Sequence, residues 1–171
     1  ERMLSLLSDL AAQPQDEENL HPLLRRREPT NISIVLITPD RGLTGGLHSK
    51  VNRTIGQFIM KQNGSTQMVA VGKKGRDFMV RTGQEIRAVF SDLGDRPTIA
   101  NIIPISKIVI DDYAAERVDA VYLGYADFIS TTVQKPTVVP LLPVKPADLL
   151  PEHSVGYIFE PNAAAILSEL L

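Results

Sequence analysis

The sequence predicts an α/β domain of three layers (α/β/α): a mostly parallel five-stranded sheet between helices, its last strand antiparallel, with a helical stub at each end of the chain. Three observations carry this. Apolar, β-branched runs alternate with amphipathic stretches in the order strand, helix, strand, helix, strand, helix, strand, strand. The first run, Ile32-Ser33-Ile34-Val35-Leu36-Ile37-Thr38, is apolar on both faces, as a central strand covered on both sides must be. The last two runs are joined by a brief turn, whereas parallel neighbours need a longer crossover.

Over residues 1–12, Met3, Leu4 and Leu7, followed by Leu10 or Ala11, recur at three- and four-residue intervals, one face of a helix that Leu6 widens. Residues 13–30 read as a polar, mobile linker that carries Asp16-Glu17-Glu18 and then Arg25-Arg26-Arg27. Consecutive arginines point in different directions, so the run reads as solvated, with attraction of an acidic partner as the alternative. After the first strand, ended by Pro39, Leu47, Val51, Ile55, Phe58 and Ile59 predict a helix over 47–62, stopped by Asn63-Gly64. A second strand over 67–71 leads through Gly72-Lys73-Lys74-Gly75 into a short helix with Phe78 and Met79, closed by Gly83. A third strand covers 86–90. A helix then runs over 98–116 with Pro104 in or near its first turns, where the missing N–H disturbs the start. Strands over 120–126 and 130–142 follow, and Pro136, Pro140, Pro143, Pro146 and Pro151 mark an edge strand and an extended exit. After Glu160-Pro161-Asn162, the residues Ala163, Ile166, Leu167, Leu170 and Leu171 open a second terminal helix. No stop signal follows Leu171, so both terminal helices read as parts of longer ones. The expected plan is a terminal helix over 1–12, a linker over 13–30, a Rossmann-like domain over 31–150, and an exit segment with the start of a helix over 151–171.

Composition narrows the function classes. The 171 residues hold 18 Lys and Arg against 20 Asp and Glu, a formal net charge of −2, so nucleic acid is not an expected partner. The absence of cysteine excludes a disulfide framework, a thiolate zinc site and a cysteine nucleophile. His21, His48 and His153 are far apart in the chain, and no metal centre is predicted. The longest apolar run, residues 32–37, is about a third of a bilayer span.

The segment with a possible chemical meaning is residues 38–49, Thr-Pro-Asp-Arg-Gly-Leu-Thr-Gly-Gly-Leu-His-Ser, between the first strand and the first helix. Ligands of open α/β sheets bind at such a place, and helix N-terminal amides favour anions. The spacing is G-x-x-G-G with no lysine following, neither a dinucleotide fingerprint nor a P-loop. Gly42, Gly45 and Gly46 are better read as the permissive residues of a close strand-to-helix turn, with Asp40 and Arg41 pairing locally, because glycine turns are far commoner than phosphate cradles.

The order and type of these residues resemble a known family. Asp40-Arg41-Gly42-Leu43 followed by Gly45-Gly46 is similar to the signature after the first strand in the gamma subunit of F-type ATP synthase. Val71-Gly72-Lys73-Lys74-Gly75-Arg76-Asp77-Phe78 resembles that family's second strand and turn. Tyr122-Leu123-Gly124-Tyr125-Ala126-Asp127-Phe128 resembles its fourth strand, and Gln134-Lys135-Pro136-Thr137-Val138 through Leu141-Leu142-Pro143 its last. Tyr157-Ile158-Phe159-Glu160-Pro161 resembles the start of its C-terminal shaft helix. The likeness covers nearly the whole chain in the family's order. Thr44 stands where Cys or Ala is usual, Pro39 where Ser is common, and the stretch before the first strand is longer than the family's.

The resemblance implies a non-catalytic rotor component of the central stalk, coupling proton translocation to ATP synthesis or hydrolysis. It implies as partners the alpha and beta subunits, the epsilon subunit and the membrane c-ring. It places the protein peripherally on the cytoplasmic face of a bacterial plasma membrane, or on an organelle inner membrane in a eukaryote. No catalytic residue, cofactor or metal is expected. Met3, Leu4, Leu7, Ile166, Leu167 and Leu170 would belong to the shaft or a subunit interface, and Asp40, Arg41, Gly42, Leu43, Gly45 and Gly46 to a structural signature loop. Asp111-Asp112, Asp95-Arg96 and Lys73-Lys74 are candidates for polar contacts with neighbouring subunits. Two other readings compete: a small nucleotide-binding α/β enzyme using the glycine-rich turn, and a stand-alone scaffold whose terminal helices pair with another chain.

Overall fold

The computed structural model describes residues 22–41, 46–94, 97–130 and 133–144, with Leu24 described by its backbone alone. Residues 27–141 form one compact unit, and the residues flanking them belong to a second. The described part of the second unit is small: a 3-10 turn at Pro22–Leu24, and a hydrogen bond of 3.0 Å from the Val144 N–H to the Leu23 carbonyl.

The larger unit holds β1 (Asn31–Ile37), α1 (Leu47–Met60), β2 (Ser65–Val71), α2 (Lys73–Arg81), β3 (Glu85–Phe90), α3 (Ile99–Ala114), β4 (Ala120–Phe128) and the body of β5 (Gln134–Leu142). The sheet order is β3-β2-β1-β4-β5, with β1, β2, β3 and β4 parallel and β5 antiparallel at the edge. β4 reaches β5 through a turn in which the Ile129 and Ser130 N–H groups both donate to the Val133 carbonyl, the short connection that permits only an antiparallel neighbour.

Pleating sorts the strand side chains into two layers. Ile32, Ile34 and Leu36 of β1 stand in register with Met68 and Ala70 of β2 and with Ala120, Tyr122 and Gly124 of β4, under α1 and α2. Val51 and Ile55 of α1 and Met79 of α2 complete that core, and Phe58 meets Tyr122 edge to face at 4.9 Å. Each fully buried aliphatic side chain here contributes about 2 kcal/mol of transfer free energy. Gly124 sits where α1 approaches most closely: an added Cβ would collide with the Ile55 Cδ1 atom. Ser33, Val35 and Val69 point to the opposite layer with Gln67, whose side chain bonds to α3. Val109 and Tyr113 of α3 are buried there.

Several boundaries differ from the sequence-based expectation. α2 begins at Lys73, so Lys73-Lys74-Gly75 is the first turn of a helix instead of a loop. The reason is that its amides find acceptors in neighbouring loops, described below. α1 ends at Met60 because its last carbonyls are taken up by tight i to i+3 bonds, Phe58 by the Lys61 N–H at 3.1 Å and Ile59 by the Gln62 N–H at 3.0 Å. α3 keeps Pro104 at its sixth position; Thr98 caps it, and the Asn101 Oδ1 atom accepts from the Thr98 N–H at 2.8 Å and the Thr98 hydroxyl at 2.9 Å. The expected terminal helices over 1–12 and 163–171 lie outside the described residues.

Candidate functional site at the carboxyl edge of the sheet

In a parallel sheet of this order the loops at the carboxyl ends of the strands are where ligands would bind. Thr38, Asp40, Gly72 and Asp92 come from three of these loops and are tied together. The Thr38 N–H donates to the Val71 carbonyl at 2.8 Å, and its Oγ1 atom accepts from the Gly75 N–H at 2.7 Å. The Asp40 carboxylate takes the Lys73 N–H on one oxygen at 3.0 Å and the Asp92 N–H on the other at 2.8 Å. The Lys74 N–H reaches the Pro39 carbonyl at 3.3 Å, and the Gly72 N–H the Phe90 carbonyl at 2.7 Å. Gly72 adopts φ 100°, and a Cβ there would strike the Thr38 carbonyl, so the approach of these two loops requires glycine.

This arrangement answers what the edge can do. The N-terminal amides of α2 would be the natural anion cradle. Those of Lys73, Lys74 and Gly75 are each spent on the Asp40 carboxylate, the Pro39 carbonyl or the Thr38 hydroxyl. Lys73 is spent as well: its ammonium pairs with Asp92 at 2.7 Å, and that bond, with one from the Ser91 hydroxyl, holds the Asp92 carboxyl below the usual range. The Asp40 side chain therefore bonds between loops and does not pair with Arg41, which is exposed. Gly46 is the left-handed N-cap of α1, φ 77°, so of the glycine-rich signature this one residue is seen in the permissive role. Gly42, Leu43, Thr44 and Gly45 lie outside the described residues. Among the described residues, no three His, Asp or Glu side chains group to hold a metal, and no helix is long and apolar enough to cross a membrane.

Two groups of charges differ from their sequence-based reading. Asp112 is not a surface contact residue: its side chain is 2% exposed and accepts from Arg87 at 2.9 and 3.2 Å, Arg117 at 2.8 Å and Gln67 at 3.1 Å. Burial alone would raise its pKa, but the bonds from Arg87, Arg117 and Gln67 outweigh it and hold the carboxyl below the ordinary value. The third arginine of the run is likewise not solvated. Arg27 donates to the Tyr113 carbonyl at 2.9 Å and the Val118 carbonyl at 3.0 Å, faces Asp119 and Glu116, and lies 4.6 Å over the Tyr113 ring. The spacing of Val109, Asp112 and Tyr113 on one helical face was the available signal for Asp112, because a carboxylate on a buried face must find partners. No local pattern marks Arg27, since its partners are about 90 residues away. Asp111 stays exposed, and Asp95 and Arg96 lie outside the described residues. Met3, Leu4, Leu7, Ile166, Leu167 and Leu170 lie outside them too.

Exposed apolar side chains collect at two places, Ile99, Ile102 and Ile103 in the first turns of α3, and Phe128, Ile129 and Val133 around the β4–β5 turn.

Comparison with known proteins gives consistent neighbours. The family model described as ATP synthase matches residues 1–171. A protein named ATP synthase gamma chain from Dehalococcoides mccartyi strain BAV1 is 45% identical over 171 residues, all of this chain and 60% of the relative. The ATP synthase gamma chain of Pelotomaculum thermopropionicum is 43% identical over 152 residues, 88% of this chain and 54% of the relative. The chain thus spans about 60% of the length of these relatives. Among solved structures, a chain of the Tetrahymena thermophila mitochondrial ATP synthase central stalk and c-ring superposes with a TM-score of 0.62 at 20% identity, over 83% of this chain and 58% of that one. A rotor chain of the Euglena gracilis mitochondrial ATP synthase gives 0.53 at 17% identity, over 96% and 58%. These last two likenesses are of fold.

Proposed function

The chain belongs to the ATP synthase gamma-chain family, and from that premise we propose that it is the globular part of a central-stalk subunit, a rotor component without catalysis of its own. The observation that carries the reading is the family match over the whole chain, and the carboxyl edge agrees with it. An α/β domain that binds nucleotide leaves amides open at that edge; here those at the start of α2 hold neighbouring loops together. Such cross-linked loops suit a part that must transmit torque, because close-packed, bonded elements resist deformation.

On this reading, helices over 1–12 and 163–171, with Met3, Leu4, Leu7, Ile166, Leu167 and Leu170 on their apolar faces, continue as an antiparallel coiled-coil shaft. The shaft turns among the alpha and beta subunits, and the globular part joins it to the epsilon subunit and the membrane c-ring. The protein then sits peripherally at an energy-coupling membrane, on the cytoplasmic side in a bacterium. Asp40 with Gly46 makes the signature loop structural: the carboxylate fixes the loop's base, and the glycine starts α1.

The test is expression of the full gene product with its neighbours. Co-purification with nucleotide-binding subunits and support of their coupled ATPase is expected. Failure of both overturns the proposal. Calorimetry of the 171-residue chain with ATP, NAD and FMN separates the competing enzyme reading, which requires saturable binding of one of them; the stalk reading requires none.

A further inference from the structure

The Asn63-Gly64 pair, read from the sequence as the stop of a helix, fills the turn between α1 and β2. Of the asparagines at positions 19, 31, 52, 63, 101 and 162, only Asn63 precedes a glycine. The described ones differ further in what holds their side chains. Asn31 accepts from the Ser65 hydroxyl, Asn52 donates to the Lys74 carbonyl, and Asn101 accepts from Thr98 at the start of α3. Asn63 is exposed, and among the described residues nothing bonds its side chain. Among the same residues the exposed Gly64 N–H has no acceptor either, whereas the next amide, of Ser65, donates to the Thr30 carbonyl at 2.9 Å.

A side-chain amide and the backbone N–H that follows it, both unbonded and both in water, are the reactants of a ring closure, and glycine at the second position sets no Cβ beside the attacking nitrogen. We propose that Asn63 is a site of spontaneous deamidation and isomerisation, with water as the co-reactant. The Gly64 nitrogen gives its proton to hydroxide and attacks the Asn63 Cγ atom; the Cγ–Nδ2 bond breaks, ammonia leaves, and a succinimide remains. Water then opens the ring at either carbonyl, giving aspartate or isoaspartate, and nothing is oxidised or reduced.

The two products act differently on the fold. Aspartate keeps the length of the main chain, whereas isoaspartate adds a methylene to it just before Gly64. Gly64 has no room to move toward β1, since even a Cβ there would overlap the Thr30 carbonyl oxygen. The displacement therefore falls on Ser65, which opens the β1–β2 ladder opposite Asn31 and is bonded to Thr30. The Thr30 hydroxyl and the Asn31 N–H in turn both donate to the Asp119 carboxylate at 2.9 Å, at the entry to β4. One inserted methylene thus loosens the amino edge of the sheet where β1, β2 and β4 begin, and leaves the carboxyl-edge loops intact.

The test follows the full gene product by peptide mass spectrometry as it ages in buffers of about pH 7 and about pH 9. The peptide over residues 62–73 should gain one mass unit and separate into two forms, one of which accepts a methyl group from an isoaspartyl methyltransferase. Peptides carrying Asn31, Asn52 and Asn101 should lag at least tenfold behind. The reaction at Asn63 should run at least tenfold faster at the higher pH, where hydroxide takes the Gly64 proton more often. Asn63→Gln, which would have to close a six-membered ring, should stop it over the same interval. In the isoaspartyl form the Ser65 amide should exchange hydrogen at least tenfold faster than in the fresh chain, while in freshly made Asn63→Asp its exchange should be unchanged. Reaction at Asn63 no faster than at the other asparagines, or only after unfolding in urea, would overturn the site. A rate indifferent to pH would overturn attack by the Gly64 nitrogen. Unchanged exchange at Ser65 in the isoaspartyl form would overturn the loosening of the amino edge.

Discussion

Substituting Gly124 by alanine tests how closely α1 is seated on the sheet. A methyl group added to a strand glycine ordinarily gains about 0.5–1 kcal/mol, by removing backbone freedom from the unfolded chain. Here the new Cβ would collide with the Ile55 Cδ1 atom and come within 3.0 Å of Ile55 Cγ1, while Leu36 Cδ1 at 3.7 Å is in ordinary contact. Ile55 is fully buried and has nowhere to go, so overpacking of about 1–3 kcal/mol should exceed the gain, for a net loss of about 1–2 kcal/mol. Ile55→Val removes the colliding atom and by itself costs about 1 kcal/mol. In that background Gly124→Ala should be close to neutral, which gives a favourable coupling of about 1–2 kcal/mol in the double-mutant cycle. Urea unfolding of the four proteins, followed by circular dichroism, measures it. Additivity within about 0.5 kcal/mol, or a neutral Gly124→Ala single variant, would refute the geometry.

Other consequences are as definite. Asp112→Ala should cost about 2–3 kcal/mol, below the full price of a buried ion because Arg87 and Arg117 are half exposed and regain water; urea midpoints at pH 7 check it. The folded pKa of Asp112 is depressed, so its contribution is complete above the unfolded value of about 4 and is lost as pH falls through the folded one. The stability gap between the native chain and Asp112→Asn should therefore be constant from pH 5 to 7 and narrow below about pH 4. Asp40→Ala frees the amides of Lys73 and Asp92 together, and their hydrogen exchange should accelerate at least tenfold while that of Val35 and Val69 in the central strands is unchanged. Pro104→Ala restores a helix amide in an exposed position of α3 and should raise stability by about 1–2 kcal/mol in thermal unfolding, the helical gain less the entropy that proline removes from the unfolded chain.

The architecture was legible because period and punctuation agree locally: Ile32 through Ile37 declares a doubly covered strand, and glycines close α2 and precede α1. Element starts were less legible where the decisive partner lies elsewhere in the chain. Lys73-Lys74-Gly75 looks like a turn until Thr38, Pro39 and Asp40 arrive to accept its amides. Asp112 carried a readable signal, a carboxylate at buried helical spacing, whose partners Gln67 and Arg87 come from other strands. Asn52 carried none: an asparagine on a helix is unremarkable until burial, at 3% exposed, leaves its Nδ2 atom on the Lys74 carbonyl and its oxygen without a donor. In the signature loop, Asp40 and Gly46 were singled out by residue type, but the bonds of Asp40 to two other loops, in place of the expected local pairing with Arg41, are tertiary and outside the reach of spacing.

The two rims of the sheet refuse further strands by different means. On one side, β3 shifts register against β2 between Met68 and Val69, a bulge that leaves Arg87 to reach Asp112, and Glu85 and Arg87 place charge along the open ladder. On the other, β5 carries Pro136 and Pro140, two positions without an N–H to offer a template, beside exposed Lys135. Both rims are thereby guarded against edge-to-edge polymerisation. Double substitution of Pro136 and Pro140 by valine should promote aggregation through the last strand, measured by light scattering against the unsubstituted chain.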